Sequence, residues 1–219
     1  MKLMFVAWLA LFLSLSPAFG QNSPTVAPPK SSAAESGTLT KEARDRAIEY
    51  LKQTRKDFLA AVEGLSEAQW KFKAAPDRWS IAEVSEHIAV TEDTIWKLVS
   101  EKIMKSPASP EKAAEAKGKD EIILAKIPDR SRKAQAPEQL KPTGRWATRA
   151  ALVKEFESSR DKEIAYLAET KEDLRSHFGD HPLLKTMDAY QWLLLNAAHC
   201  KRHTAQILEV KADPNYPKS

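Results

Sequence analysis

The segment NAAHCKRHTAQIL, residues 196–208, places two histidines four positions apart on what reads as the inward face of a helix. Trp192 and Leu195 lead into His199 and His203 with the same three-to-four-residue spacing. Side chains four apart on a helix lie about 40° apart around the axis and about 6 Å apart along it. Both imidazoles can therefore reach one metal ion, which would offset the cost of burying them without partners.

The spacing alone leaves a second interpretation open, in which the two histidines are merely hydrogen-bonded or half-exposed. A zinc-protease motif, His-Glu-x-x-His, is excluded because the general-base glutamate is missing. The residues between the two histidines are Cys200, Lys201 and Arg202.

Of the three other histidines, His87 is the best candidate for a third ligand. His87 lies in RWSIAEVSEHI, residues 78–88, beside an apolar stripe. A partly exposed histidine at the border of the stripe is the alternative for this residue. His177 and His181 flank a glycine and precede Pro182, so we expect them in a loop, away from a metal.

Prolines divide the chain into long windows that favour helices. Thirteen prolines and only six glycines leave four proline-free windows, residues 30–75, 77–106, 143–181 and 183–213. No strand-type alternation is evident, and each window carries apolar residues at helical spacing. Four helices of about 20–25 residues predict an all-α fold, a four-helix bundle.

Local signals set the expected helix boundaries. Ser80 and Glu83 form a capping box at the start of the second helix, while Thr148 begins the third and the fourth starts near Thr186. The connection of residues 107–142 is long, and a short helix is expected around residues 120–126.

The first 38 residues read as a targeting segment and a tether. Residues 1–20 have one lysine, an apolar run and a small-residue end, which is the layout of a cleaved signal peptide. An uncleaved anchor is the alternative. Residues 21–38 are expected to be a disordered linker, residues 39–213 the bundle domain and residues 214–219 a tail. These features predict an exported protein, periplasmic or secreted, without stable membrane insertion after cleavage.

The charge pattern argues against a nucleic-acid-binding protein, and the cysteine content excludes a disulfide-stabilised one. The chain has 34 basic and 30 acidic residues in mixed order, a net charge of +4. This gives no electrostatic footprint for nucleic acid. Cys200 is the single cysteine, so the chain forms no internal disulfide.

Two segments resemble the DinB-like superfamily. They are AQWKFKAAPDRWSIAEVSEHI, residues 68–88, and MDAYQWLLLNAAHCKRHTAQI, residues 187–207. The resemblance extends over about residues 40–212. It implies a four-helix bundle in an up-down-down-up order, with a long crossover between the second and third helices. It also implies a divalent metal held by one histidine of the second helix and two of the fourth, here His87, His199 and His203.

Such a site would leave coordination positions open, as catalytic sites do. Zinc, nickel and iron(II) all suit imidazole ligands. Glu83, Asn196 and Gln206 are expected to orient the imidazoles or line the pocket. No catalytic residue beyond the ligands is identified from the sequence.

The resemblance implies a metal-dependent transferase, acting with a low-molecular-weight thiol, or a hydrolase, with a small molecule as substrate. Two other classes stay open. One is a module that binds a metal or small ligand without turnover, and the other is a structural bundle, including a homodimer formed through exposed helix faces.

Overall fold

The computed structural model describes residues 39–132 and 135–219. The predicted signal peptide, residues 1–20, and the predicted linker, residues 21–38, lie outside the described residues. The α-helices of the described part are α1 (Lys41–Val62), α2 (Glu67–Lys71), α3 (Ile81–Lys97), α4 (Ala113–Ala116), α5 (Lys119–Lys126), α6 (Arg149–Glu169) and α7 (Ala189–Lys211).

Four of these helices, α1, α3, α6 and α7, form the bundle. Helix α1 packs against α6 and α7, and α3 packs against the same two helices. The predicted four-helix bundle is therefore confirmed at the level of helix packing. A π-helical turn, Leu98–Ile103, extends α3.

The bundle helices begin at side chains that satisfy the free amides of the first turn. The Ser80 hydroxyl accepts from the Glu83 amide while the Glu83 carboxylate accepts from the Ser80 amide, as the sequence predicts. Thr148 caps α6 through the Ala151 amide, which also agrees with the prediction. Helix α7 starts later than expected, because Asp188 is its N-cap.

A β-hairpin corrects the all-α expectation. Strand β1 (Phe178–His181) pairs antiparallel with β2 (Lys185–Asp188), with Gly179 opposite Met187. The prediction of a loop was wrong for His181, because the strands are too short to show alternation and their pairing partner is set by the fold, while His177 lies just before β1, outside regular structure, as predicted. His181 lies at the end of β1, and its Nδ1 accepts from the Leu183 and Leu184 amides.

The long connection between α3 and α6 is a crossover with little regular structure. It contains the short helices α4 and α5 and two 3-10 turns, Pro110–Lys112 and Glu138–Leu140. The predicted helix around residues 120–126 is confirmed as α5. Helix α5 packs against α7, and the second turn packs against α3, so the crossover wraps the side of the bundle that carries His87.

Two apolar clusters fill the bundle. Each bundle helix contributes residues to both clusters, and buried polar residues occupy the positions between the two contributions. Leu51, Ile95, Leu167 and Leu195 belong to one cluster, and Phe58, Ile88, Phe156 and Cys200 belong to the other. The buried polar residues between these positions include five that contact one another across the bundle, which we call the polar layer: Thr54, Glu92, Arg160, Glu163 and Asn196.

Arg160 is the centre of the polar layer and has no exposed surface. Its guanidinium makes a two-pronged ion pair with Glu92, and its Nη1 donates to the Leu51 carbonyl and the Thr54 hydroxyl, both at 2.7 Å. Burial opposes the charge, but the Glu92 carboxylate outweighs it and raises the pKa of Arg160. Arg160 thus connects α6 to both α1 and α3.

Glu163 and Asn196 connect α6 to α7 in the same layer. The Asn196 amide donates to the Glu163 carboxylate and to the Glu92 main-chain carbonyl. Burial raises the pKa of Glu163 well above its ordinary value, and the neighbouring Glu92 charge adds to this effect.

The end of the chain folds back onto α2. The Tyr216 ring meets Phe72 edge-on at 5.5 Å between centroids, and Gln69 donates to the Pro217 carbonyl. Between residue 39 and the C-terminus, leaving out 133 and 134, no helix is both long and apolar enough to cross a bilayer.

Candidate metal centre

Three imidazoles from two helices meet at one point. His87 comes from α3 and is buried, while His199 and His203 come from α7 and are half-buried. Each offers a ring nitrogen, and these three atoms lie within 4.8 Å of one another. The Nε2 atoms of His87 and His199 are 3.1 Å apart. Within the described residues, these three are the group of ligating side chains that could hold a metal ion.

Hydrogen bonds place the ring proton of His87 and of His203 on Nδ1. Nδ1 of His87 lies 2.8 Å from the Leu140 carbonyl, which can only accept, so this nitrogen carries the proton. Nδ1 of His203 lies 2.8 Å from Oε1 of Gln206, and the same oxygen accepts from Arg130 at 3.3 Å. The Nε2 atoms of both rings therefore keep free lone pairs.

Burial keeps all three imidazoles neutral. It lowers the pKa of His87, and it lowers the pKa of His203 to about 3. Burial also lowers the pKa of His199 well below its usual value, and the other two imidazoles and Arg202 add to this effect. Neutral imidazole is the form that binds metals, so the site is chemically ready for a cation.

The spacing of the His87 and His199 nitrogens fits a divalent transition metal. Two nitrogens at about 2.0–2.1 Å from one ion lie about 2.9 Å apart at a right angle and about 3.3 Å apart at the tetrahedral angle. The 3.1 Å between Nε2 of His87 and Nε2 of His199 lies between these limits. A proton on Nε2 of His199 would let that atom donate to Nε2 of His87, and a shared cation would take the place of this proton between the two rings.

The three residues expected around the ligands differ in where they lie. Gln206 contacts His203 as described above. The Glu83 carboxylate instead accepts from the Ser80 amide and from Lys73, both at 2.7 Å, so it caps α3 and does not orient His87. Asn196 belongs to the polar layer, where its amide is occupied by Glu92 and Glu163. Neither Glu83 nor Asn196 orients an imidazole, which corrects that expectation, although Glu83 lines the cleft of about 500 Å³ described below.

Sequence reasoning missed the contacts that the crossover makes with the site. The Leu140 carbonyl holds His87 across 53 residues of sequence, and Glu86 binds the main chain of the same crossover segment. Main-chain acceptors carry no residue signature, so no sequence signal identifies Leu140. The indole of Trp79 packs on His87 with 5.2 Å between ring centroids and forms one wall of the site.

Arginines attach another part of the crossover to α7 beside the histidines. Arg130 pairs with Glu209 through two contacts of 2.6 Å, in addition to its contact with Gln206. Arg202 points outward, where it donates to the carbonyls of Ile127, Asp129 and Arg132. Residues 127–132 are thereby held close to the metal-binding face of α7.

A cleft of about 500 Å³ is lined by Glu86, the residue that precedes His87. Its walls come from α2, the first turns of α3 and α6, and residues 142–148, and include the indoles of Trp70 and Trp146. None of the three histidines lines this cleft. Cys200, although adjacent to His199 in sequence, faces the core and is fully buried, so its thiol is not among the candidate ligands.

The family model of the DinB superfamily matches residues 50–207, most of the chain. The chain belongs to the DinB superfamily. This DinB protein is 27% identical over 150 residues to the uncharacterized protein YuaE of Bacillus subtilis strain 168, covering 68% of this chain and 88% of YuaE.

A solved structure with a similar fold is YfiT from Bacillus subtilis, described as a probable metal-dependent hydrolase with an unusual four-helix bundle topology. The TM-score is 0.52 at 16% sequence identity, and the similarity covers 82% of this chain and 92% of YfiT. At this identity the similarity shows the shared fold.

Proposed function

We propose that this DinB protein is a metal-dependent enzyme that holds one divalent cation on His87, His199 and His203 and acts on a small molecule. The observation that carries the proposal is the convergence of three neutral imidazoles, with Nε2 of His87 and Nε2 of His199 3.1 Å apart. Zinc, nickel and iron(II) all suit this set of ligands.

A divalent cation with vacant positions supplies Lewis-acid chemistry: it lowers the pKa of a bound water or thiol and polarises a carbonyl. The chain itself supplies orientation. The Leu140 carbonyl and Gln206 fix the imidazole tautomers, and Trp79 shields one side of His87 from water. Hydrolysis is the reaction class we favour, because YfiT is described as a probable hydrolase. Group transfer to or from a thiol is the other reaction class that the same chemistry allows.

A second function is favoured by one observation, the capping role of Glu83. Because Glu83 is bound to Ser80 and Lys73, the carboxylate that the sequence offered beside His87 is not available there as a general base. A module that binds a metal or small ligand without turnover needs no such group. The two functions share the metal site and differ in whether the loaded protein changes a substrate.

Metal content of protein purified without a histidine tag tests the site. We expect about one equivalent of divalent metal in the wild type and much less in His199→Ala, because two imidazoles bind such ions far more weakly than three. His181→Ala is the matched control, since His181 lies in the hairpin, and it should keep the wild-type content. Near-zero content in wild type and His199→Ala alike, before and after exposure to zinc, nickel and iron(II), would refute the proposal.

Turnover separates the enzyme from the binding module. Metal-free and metal-loaded protein should be compared on panels of esters, amides and phosphoesters, and on electrophiles with added thiols. We expect activity that requires the metal and is lost in His199→Ala. Full metal occupancy without turnover on any panel would favour the binding module.

Export forms part of the proposal and is supported by the sequence of residues 1–20. We expect cleavage after Gly20, so that the exported protein begins at Gln21. N-terminal sequencing of protein recovered from outside the cytoplasm checks this expectation, and an intact Met1 in that fraction would contradict it.

A further inference from the structure

Glu86 stands out among the buried acids because its partners are main-chain amides of the crossover. Its carboxylate is only 5% exposed and accepts from the amides of Thr143, Gly144 and Arg145 at 2.7, 2.8 and 3.2 Å. The Thr143 hydroxyl adds a fourth contact at 3.3 Å. Hydrogen bonds to a carboxylate are stronger than those between neutral groups, so this is a firm attachment.

The backbone of the turn is shaped for this carboxylate. Gly144 has a φ of +78°, a conformation that glycine adopts without strain, and it lets consecutive amides point to the same side. Arg145 closes the turn by donating to the Gln139 carbonyl at 3.0 Å. Residues 139–145 therefore form one compact segment, which we call the crossover clamp.

The crossover clamp also contains the acceptor that orients a metal ligand. Leu140 lies within it, and its carbonyl receives the Nδ1 proton of His87 at 2.8 Å. Glu86 and His87 are consecutive residues of α3, so helix and clamp are joined by two adjacent side chains. The 3-10 turn that ends at Leu140 also packs directly against α3.

We propose that Glu86 is a positioning residue, whose carboxylate holds the crossover clamp so that Leu140 fixes His87 with Nε2 directed at His199. The effect on metal binding rests on the proposed function, whereas the effect on His87 does not. Without the carboxylate, the clamp amides would turn to water and the Leu140 carbonyl would leave the ring. His87 would then sample both tautomers, and only one of them presents Nε2 as a ligand.

Glu86→Gln tests the proposal in the full chain with two measurements. In metal-free protein, ¹⁵N chemical shifts of the imidazoles should show one tautomer of His87 in the wild type and a mixture in the variant. Zinc affinity from competition with a chelator should fall by about 10- to 100-fold, the usual loss when a partner of a ligating histidine is removed. Asp93→Asn, which removes a carboxylate of α3 that pairs with Lys97, is the control and should change neither measurement.

The outcomes separate the two proposals. An unchanged His87 tautomer together with unchanged zinc affinity in Glu86→Gln would overturn the role of Glu86. If wild type binds no metal, the proposed function fails, and the imidazole shifts alone still decide the positioning role.

Gly144→Ala provides a second route to the same answer if Glu86→Gln does not fold. A Cβ at this position meets no atom within 4 Å, so the change acts only through the unfavourable positive φ. We expect the same two changes with smaller size and unchanged helix content by circular dichroism. A single His87 tautomer in this variant, with zinc affinity unchanged, would contradict the proposal.

Discussion

Replacing Glu163 with glutamine should change how the stability of the bundle depends on pH. Glu163 has no exposed surface, and one carboxylate oxygen accepts from Asn196. The other oxygen finds no hydrogen-bond partner within the described part of the chain. The polar layer holds two buried carboxylates and one guanidinium, so a proton on Glu163 makes the layer neutral. Glutamine copies the shape of that protonated form without being able to ionise.

The sign of the effect follows from the raised pKa of Glu163 in the folded state. Between the ordinary value of 4.5 and the raised pKa of the folded state, the unfolded chain releases this proton while the folded chain retains it. The free energy of unfolding therefore falls by about 1.4 kcal/mol for each pH unit above that value, until the folded-state pKa is reached. The contribution is fully present below pH 4.5 and is lost as pH rises.

Urea unfolding at half-unit steps from pH 4.5 to pH 7.5 measures this effect. The free energy of unfolding of Glu163→Gln minus that of the wild type should increase by about 1.4 kcal/mol per pH unit over the lower part of this range. Titrating groups outside the polar layer, including the histidines, cancel in the difference between the two proteins. Glu169→Gln on the same helix is the control: its carboxylate is exposed, and its difference from wild type should stay constant.

A difference between wild type and Glu163→Gln that does not vary with pH would refute the reasoning. It would mean that the folded protein carries Glu163 ionised beside Glu92, with a compensating interaction that the polar layer does not show.

Three further substitutions should change stability, each checked by urea unfolding at pH 7. Arg160→Met should cost about 3–5 kcal/mol because it leaves the buried Glu92 charge unpaired, and a smaller loss in the double variant with Glu92→Gln would confirm this cause. Gly179→Ala should cost about 1–3 kcal/mol, since its Cβ would lie 2.7 Å from Ile103 Cδ1, and no loss would show that the hairpin can shift. Ser80→Ala should cost about 0.5–2 kcal/mol by removing the N-cap of α3, and unchanged stability would argue against the capping box.

Much of the bundle was predictable because its signals are local. The capping box at Ser80 and the N-cap at Thr148 depend on residues three positions away. The spacing of His199 and His203 likewise needs only helical geometry to place both rings on one face. The position of His87 beside an apolar stripe made it the candidate third ligand, and the family resemblance strengthened that prediction across the 112 residues that separate His87 from His199.

The polar layer and the crossover clamp were not predictable in this way. Arg160 and Glu163 interrupt the apolar pattern of α6, and such residues normally face solvent. Their partners lie on three other helices, which no spacing within α6 can show. Similarly, Glu86 reads as an ordinary helix residue until amides nearly sixty positions away are folded against it.

Because Cys200 is buried between α7 and α1, chemical labelling of its thiol can report when these two helices separate. Burial raises the pKa of this thiol to about 12, and the side chain lies against the Thr54 carbonyl inside the bundle. Alkylating reagents attack the thiolate, so they can reach it only when α7 separates from α1. Because the chain has no other cysteine, the rate of labelling reports the frequency of that single separation.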